Sequence, residues 1–277
     1  MKIIDAFTFF NEIDLLKIRM ELLYPYVDAF CICEGRYTFT GREKPYLLEQ
    51  HGQEFAQWAD KIIYYKFEPD ISHLDFSVQD TSYNPNSPAW QMERAQRNSL
   101  AQVCNSLEAE DIVIVSDLDE LPNPEVISQI RNGQFGVQKA RLEMQMHYYY
   151  LNCLGVGSAN SAWNKAFVST VEAIRSAPDL EFMRLQDPMP HIAQAGWHFS
   201  YLGGPERISE KLDATSHTET NRPEINNLTH LRRCVELGVD HLQRPGYEFA
   251  FLPVDVYPPR LATLMRKNLN LVKTTLI

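Results

Sequence analysis

The chain has 277 residues, 44% of them hydrophobic and 11% aromatic, enough for one large α/β domain with a substantial core. Its formal net charge of −10 argues against nucleic acid as a partner, because binding a phosphate backbone draws on basic surface. No apolar run approaches the roughly 20 residues of a membrane span, so no integral membrane segment is expected. Residues 1–5 lack the charged-then-apolar layout of a signal peptide. The five cysteines are odd in number and form no CxxC pair, which reads as free buried thiols in a soluble, cytoplasmic protein.

In chain order, residues 2–10 predict an opening strand. Asn11 is the expected N-cap of a helix whose apolar face (Ile13, Leu15, Leu16, Ile18, Met20, Leu22, Leu23) runs to Pro25. Residues 27–33 predict a second buried strand, followed by Glu34-Gly35-Arg36 and a polar, aromatic loop over 37–45. A third strand is expected over 61–67. The stretch 69–88 is rich in Asp, Ser, Asn and Pro and has no period, as in a lid or a disordered loop. Residues 89–109 read as a helix carrying Glu93, Arg94 and Arg97 on its polar face.

The most informative stretch follows: Asp111-Ile112-Val113-Ile114-Val115-Ser116-Asp117-Leu118-Asp119-Glu120-Leu121-Pro122. Four consecutive β-branched residues predict a strand buried on both faces, as in a parallel sheet. Pro122 and Pro124 then forbid its continuation. Open α/β sheets bind ligands where strands end at their carboxyl side. If the extended backbone persists past the strand, Asp117 and Asp119 share a side, a placement suited to a hard divalent cation that keeps water and phosphate in its other positions. An acidic protein handling an anionic phosphate also needs local positive charge, which such an ion supplies. Beyond it, the pattern predicts a helix at 124–130, strands at 140–152, 165–170 and 196–202, and helices at 205–211, 226–237 and 260–272.

Several stretches together resemble glycosyltransferase family 17, the group containing the enzyme that adds bisecting N-acetylglucosamine to N-glycans. They are Phe9-Phe10-Asn11-Glu12-Ile13-Asp14-Leu15-Leu16, Thr38-Phe39-Thr40-Gly41 with Lys44-Pro45, and Glu93-Arg94-Ala95-Gln96-Arg97. Ser116 to Pro122, Gly196-Trp197-His198-Phe199-Ser200-Tyr201, and Lys211 with Ser216-His217-Thr218-Glu219 complete the set in family order. The resemblance implies a GT-A type fold: a Rossmann-like mixed sheet, mostly parallel, flanked by helices in a single domain over 1–277. Its nucleotide-binding half would be about 1–122 and its acceptor-binding half about 123–277. It further implies a UDP-sugar donor, with N-acetylglucosamine as the sugar, Mn2+ or Mg2+, an oligosaccharide or glycan acceptor, and inversion at the anomeric carbon. Animal members carry a membrane anchor not seen here, so a bacterial or viral surface glycan is the expected acceptor in place of an N-glycan.

On this pattern Asp119 is the principal metal ligand, Asp117 a partner to metal or ribose, and His217 the third ligand, with His198 competing for that role or facing the donor. Glu120 serves either metal or ribose, or sits in a salt bridge. A carboxylate base is required near the acceptor hydroxyl: Glu206, opening a helix after Gly203-Gly204-Pro205, or Glu219. Arg94 and Arg97, sharing a helix face at i and i+3, suit a forked grip on phosphate or a carboxylate, or else form a solvated face paired with Glu93. Glu34, Thr40 and Gly41 fall at the level of the nucleotide base or ribose, and Lys211 on the donor side. Trp197, Tyr148 and Tyr149 either stack on sugar or fill the core. The rival readings are a sugar-phosphate nucleotidyltransferase, a phosphohydrolase sharing the acidic strand end, and a glycan-binding module without catalysis. The first lacks its Gly-rich phosphate loop here, and the second its residue pattern and early position.

Overall fold

Strands of Ile, Val, Phe and Cys frame the computed structural model, which describes residues 1–78, 80–134, 136 and 138–274. The first half runs β1 (Ile3–Phe9), α1 (Ile13–Leu23), β2 (Ala29–Gly35), α2 (Leu47–Gln50), β3 (Ile62–Phe67), α3 (Pro88–Ser99) and β4 (Ile112–Asp117). Its strands pair in parallel in the order β3-β2-β1-β4. Period-two alternation gives each strand two buried faces. Phe7, Phe30, Ile32, Ile112 and Ile114 join the apolar side of α1, while Ala6, Cys31, Cys33, Val113 and Val115 pack on the opposite layer. Buried both ways, these strands read as continuous apolar runs, which is why the sequence located them.

The second half runs β5 (Glu120–Pro122), α4 (Pro124–Arg131), β6 (Lys139–Tyr148), β7 (Cys153–Gly155), β8 (Phe167–Thr170), α5 (Val171–Ser176), α6 (Leu180–Leu185) and β9 (His191–Ser200). It closes with α7 (Pro205–Ala214), α8 (Leu228–Leu237), β10 (Phe249–Phe251) and α9 (Pro259–Lys267). β8 joins β4 antiparallel and extends the sheet through β6 and β7 to β10. β9 lies parallel to β6 and antiparallel to β5. The result is the α/β class expected, a helix-flanked sheet whose Rossmann-like parallel half leads into antiparallel strands.

Three local expectations shift. The helix expected over 89–109 tightens at Leu100 into a 3-10 segment, Leu100–Ser106. The prolines do not end β4: the strand stops at Asp117, the chain turns through Leu118 and Asp119, and it resumes as β5, which includes Pro122, against β9. α5 and α6 carry too few residues to show a helical period and were not foreseen. All five cysteines are buried free thiols, and no helix among the described residues is long and apolar enough to cross a membrane.

Candidate active site

β4 delivers successive side chains to opposite layers, Ser116 toward α1 and Asp117 toward α3 and α6. On the α1 side stands Arg19, fully buried, its guanidinium bonded to both Asp5 carboxylate oxygens at 2.8 and 2.6 Å and to Ser116 Oγ at 2.6 Å. Its Nη1 also donates to the carbonyls of Asp117, Leu118 and Glu120, each at 2.9 Å. One planar cation therefore gathers three carbonyls of a tight turn, which fixes the path of the backbone that presents the acids. Sequence reading passed over Arg19 and Asp5. Their signal was a cation between Ile18 and Met20 and an acid inside Ile3-Ile4-Asp5-Ala6-Phe7, because charges embedded in apolar runs must find each other.

On the other layer Asp117 meets two guanidiniums, Arg184 Nη2 at 2.8 Å and Arg97 Nη2 at 3.3 Å, and accepts from Thr8 Oγ1 at 3.2 Å. Arg184 forks onto Glu120 at 2.9 and 2.8 Å, and Arg97 reaches Glu93 and Glu181, each at 2.6 Å. Glu120 is fully buried; it also accepts from the Trp163 indole N–H and, at 2.8 Å, from the Asp117 backbone N–H. Burial works to raise the Asp117 carboxyl, but the Arg184 and Arg97 charges outweigh it and hold the group down at about 2. Arg184 and Glu181 come from α6, the helix the sequence did not reveal.

Asp119 sits in the turn itself and faces a different pair of bases. Its Oδ2 accepts from Lys211 Nζ on α7 at 2.8 Å, and its Oδ1 lies 3.5 Å from His198 Nε2 on β9. Here too burial opposes ionisation, and the Lys211 and His198 charges overcome it, so the carboxyl stays well below the usual range. The His198 ring packs on Trp163 with centroids 4.5 Å apart, and its Nδ1 is buried without a partner. Trp197 and Phe199, its neighbours along β9, turn away into the core as the alternation requires. Asp119 opens on a cleft lined also by Asn11, Glu12, Asp14, Tyr201, Arg207 and Lys211. The α1 N-terminus forms one wall: Glu12, not Asn11, occupies the cap position, and Asn11 Nδ2 is buried and unpaired.

The remaining sequence-derived residues are distributed around this centre. Arg97 reaches Asp117, whereas Arg94 donates to the Pro85 carbonyl at 2.6 Å on the loop before α3. Glu34 is fully buried and accepts from Lys44 Nζ (2.6 Å), the Leu47 and Leu48 N–H groups (2.7 and 3.1 Å) and Tyr64 OH (2.8 Å), which ties the loop after β2 to α2. Thr40 Oγ1 donates to the Asp213 carbonyl at 2.9 Å, docking the same loop on the end of α7. Gly41 has φ +80°, and a Cβ there would lie 2.6 Å from the Phe76 ring. Thr40 lines a second cavity with Arg42, Phe76, Asp80, Ser87 and Asp213.

His217 packs against Trp90 at 4.8 Å and hydrogen-bonds Glu219 at 2.7 Å, while the adjacent Ser216 hydroxyl donates to Glu93. The structure does not bring His217 together with Asp117 and Asp119: among the described residues no three His, Cys, Asp or Glu side chains form a group able to hold a metal. Glu206, with 64% of its side chain exposed, is paired with Arg232 of α8 at 2.8 Å and is not part of the cleft lining. Tyr148, Tyr149 and Trp197 are buried core residues.

Comparison with known proteins agrees with the resemblance. The model of glycosyltransferase family 17 matches residues 1–253. Among curated proteins, the chain is 20% identical over 269 residues to the rat β-1,4-mannosyl-glycoprotein 4-β-N-acetylglucosaminyltransferase and 21% identical to the human one, covering 86% of this chain and 48% of each relative. The chain thus spans about half the length of the curated relatives it matches. Among solved structures, TarS of S. aureus, residues 1–349, aligns over 87% of this chain and 70% of its own at 11% identity and a TM-score of 0.41, a likeness too loose to argue from. With the family pattern running through more than nine-tenths of its length, from β1 to the end of β10, this chain belongs to glycosyltransferase family 17.

Proposed function

We propose that the chain transfers a sugar from a UDP-sugar donor to a hydroxyl of a glycan acceptor, with inversion, in the cleft beside Asp119. The observation that carries this reading is the acidic turn at the carboxyl end of the parallel strands, opening on a cleft that also holds Lys211 and Arg207. Ligands of open α/β sheets bind at this end. The names of the relatives favour N-acetylglucosamine as the sugar. Buried free thiols throughout support a reducing, cytoplasmic setting.

As the nucleotide diphosphate departs, negative charge grows on its phosphates. Lys211 and Arg207 line the region where that charge develops, and cations fixed in place beforehand stabilise the transition state without reorganising. Asp117 acts inward: both its oxygens face guanidiniums, and it keeps Arg97 and Arg184 in place behind the turn. A divalent cation, Mn2+ or Mg2+, would meet a single carboxylate of the acidic turn in this cleft, Asp119. Its Oδ1 lies 3.5 Å from His198, whereas Oδ2 is engaged by Lys211. Bound there, such an ion would supply Lewis-acid chemistry to the departing diphosphate, beside the charge that Lys211 and Arg207 already bring.

A thermal-shift series with UDP, Mn2+ and both together tests the reading. Ligand at about a hundred times its Kd stabilises by about 2.7 kcal/mol, so the wild-type melting point rises with the pair. Asp119→Ala keeps its fold and loses that rise. A full UDP–Mn2+ response in this variant removes Asp119 from the site. Incubation with UDP-N-acetylglucosamine and glycan acceptors should yield UDP, while release of pyrophosphate or inorganic phosphate points to the nucleotidyltransferase or hydrolase.

A further inference from the structure

We infer that Glu12 is the general base of the transfer, an assignment that rests on the glycosyl-transfer reading. The reaction needs a carboxylate in the donor cleft with a lone pair free to meet an incoming hydroxyl. The acids lining the cleft are Glu12, Asp14 and Asp119. Asp119 has its Oδ2 engaged by Lys211 at 2.8 Å and is the carboxylate assigned to the cation, and Asp14 lies exposed in the first turn of α1. Glu12 has 21% of its side chain exposed, within the cleft wall. Its Oε2 accepts the Asn11 N–H at 3.1 Å, which orients the carboxylate. Its Oε1 lies 3.7 Å from Lys211 Nζ, beyond hydrogen-bond length, and so keeps its lone pairs for a ligand. Glu206 and Glu219 have no such position: one is paired with Arg232 on the outer surface, the other with His217.

Lys211 adds a second argument, because its ammonium stands between Glu12 at 3.7 Å and Asp119 at 2.8 Å. The acceptor oxygen forms a bond to the anomeric carbon and its proton passes to Glu12. The bond from that carbon to the diphosphate oxygen breaks, and the electron pair leaves with the diphosphate. Glu12 thus loses its negative charge in the step in which the diphosphate gains one. Lys211 keeps a counter-charge throughout, and the proton later passes from Glu12 to water.

Glu12→Gln, Glu206→Gln and Glu219→Gln in the full chain separate the candidates. UDP formation is followed with UDP-N-acetylglucosamine, Mn2+ and mannose- or N-acetylglucosamine-terminated oligosaccharides, and UDP–Mn2+ affinity is measured by calorimetry. Glu12→Gln should lower kcat by about 10²–10⁴-fold, the usual contribution of a general base, with affinity and melting temperature unchanged. Formate should partly restore turnover to Glu12→Ala, since a small carboxylate can enter the vacated space. The other two variants should turn over normally. Wild-type turnover in Glu12→Gln, or loss of UDP binding in step with activity, overturns the assignment and leaves the transferase reading intact. A wild-type protein that forms no UDP from any nucleotide sugar removes that reading and Glu12 with it.

Discussion

Arg19 shows how much of this site depends on one side chain that touches no ligand. Its partner Asp5 is fully buried, so removing the guanidinium leaves a carboxylate without compensation in a dry layer. Breaking a buried pair this way costs about 3–5 kcal/mol. Arg19→Met should therefore lower unfolding free energy in urea by that order. Arg19→Lys should lose less stability yet still weaken UDP–Mn2+ binding, because an ammonium cannot hold Asp5, Ser116 and three carbonyls together. Equal UDP affinity in Arg19→Lys and wild type contradicts a role in shaping the turn. The residue was legible in principle, since a charge in an apolar stripe announces a partner. Which partner, and that both lie under the acidic turn, depends on the packing of α1 on β1 and on the pairing of β1 with β4, which brings carbonyls 98–101 positions away in sequence to Arg19.

At the scale of elements, the acid-bearing turn is clamped between β4 and β5, and β5 exists only through β9. Gly196, at φ +156°, makes the contact possible: a Cβ there would lie 2.2 Å from the Leu121 carbonyl oxygen, a backbone atom that cannot step aside. Gly196→Ala should force β5 and β9 apart, cost about 1–3 kcal/mol as overpacking does, and displace Asp119 from His198. The measurement is a lower urea midpoint together with a lost UDP–Mn2+ thermal shift. A variant with both intact shows that the turn does not rely on this pairing. β4 was readable as an unbroken run of β-branched residues, and α1 from its helical period over eleven residues. α6 was not: its six residues span under two turns, so the sequence offers no period, and Arg184 takes its meaning only from packing.

Across the whole molecule, two buried histidines set the acid response. Burial holds the His147 imidazole down at about 3 and that of His241 at about 4, so both stay neutral in the folded state long after free imidazole, near 6.5, has charged. As pH falls below about 6.5 the unfolded chain binds protons that the folded one refuses, and stability declines. Asp117, held at about 2, adds a further loss below about pH 4, where the unfolded carboxyl is protonated first. Melting temperature should thus be level near pH 7–8 and fall steadily from about pH 6.5 to 4. A flat profile over that window excludes the neutral-histidine account.

Local patterns were enough to read the parallel half of the sheet, the acidic stretch at its carboxyl end, and the family, because buried strands and contiguous motifs are written locally. Tertiary structure alone decided which charges meet. Because the chain turns after Asp117, the two aspartates face different cations, Arg97 and Arg184 for one, Lys211 and His198 for the other. It likewise took Glu206 to the surface and brought Glu12 to the cleft, since a side chain's neighbours across a sheet depend on register and crossing, which no local pattern encodes.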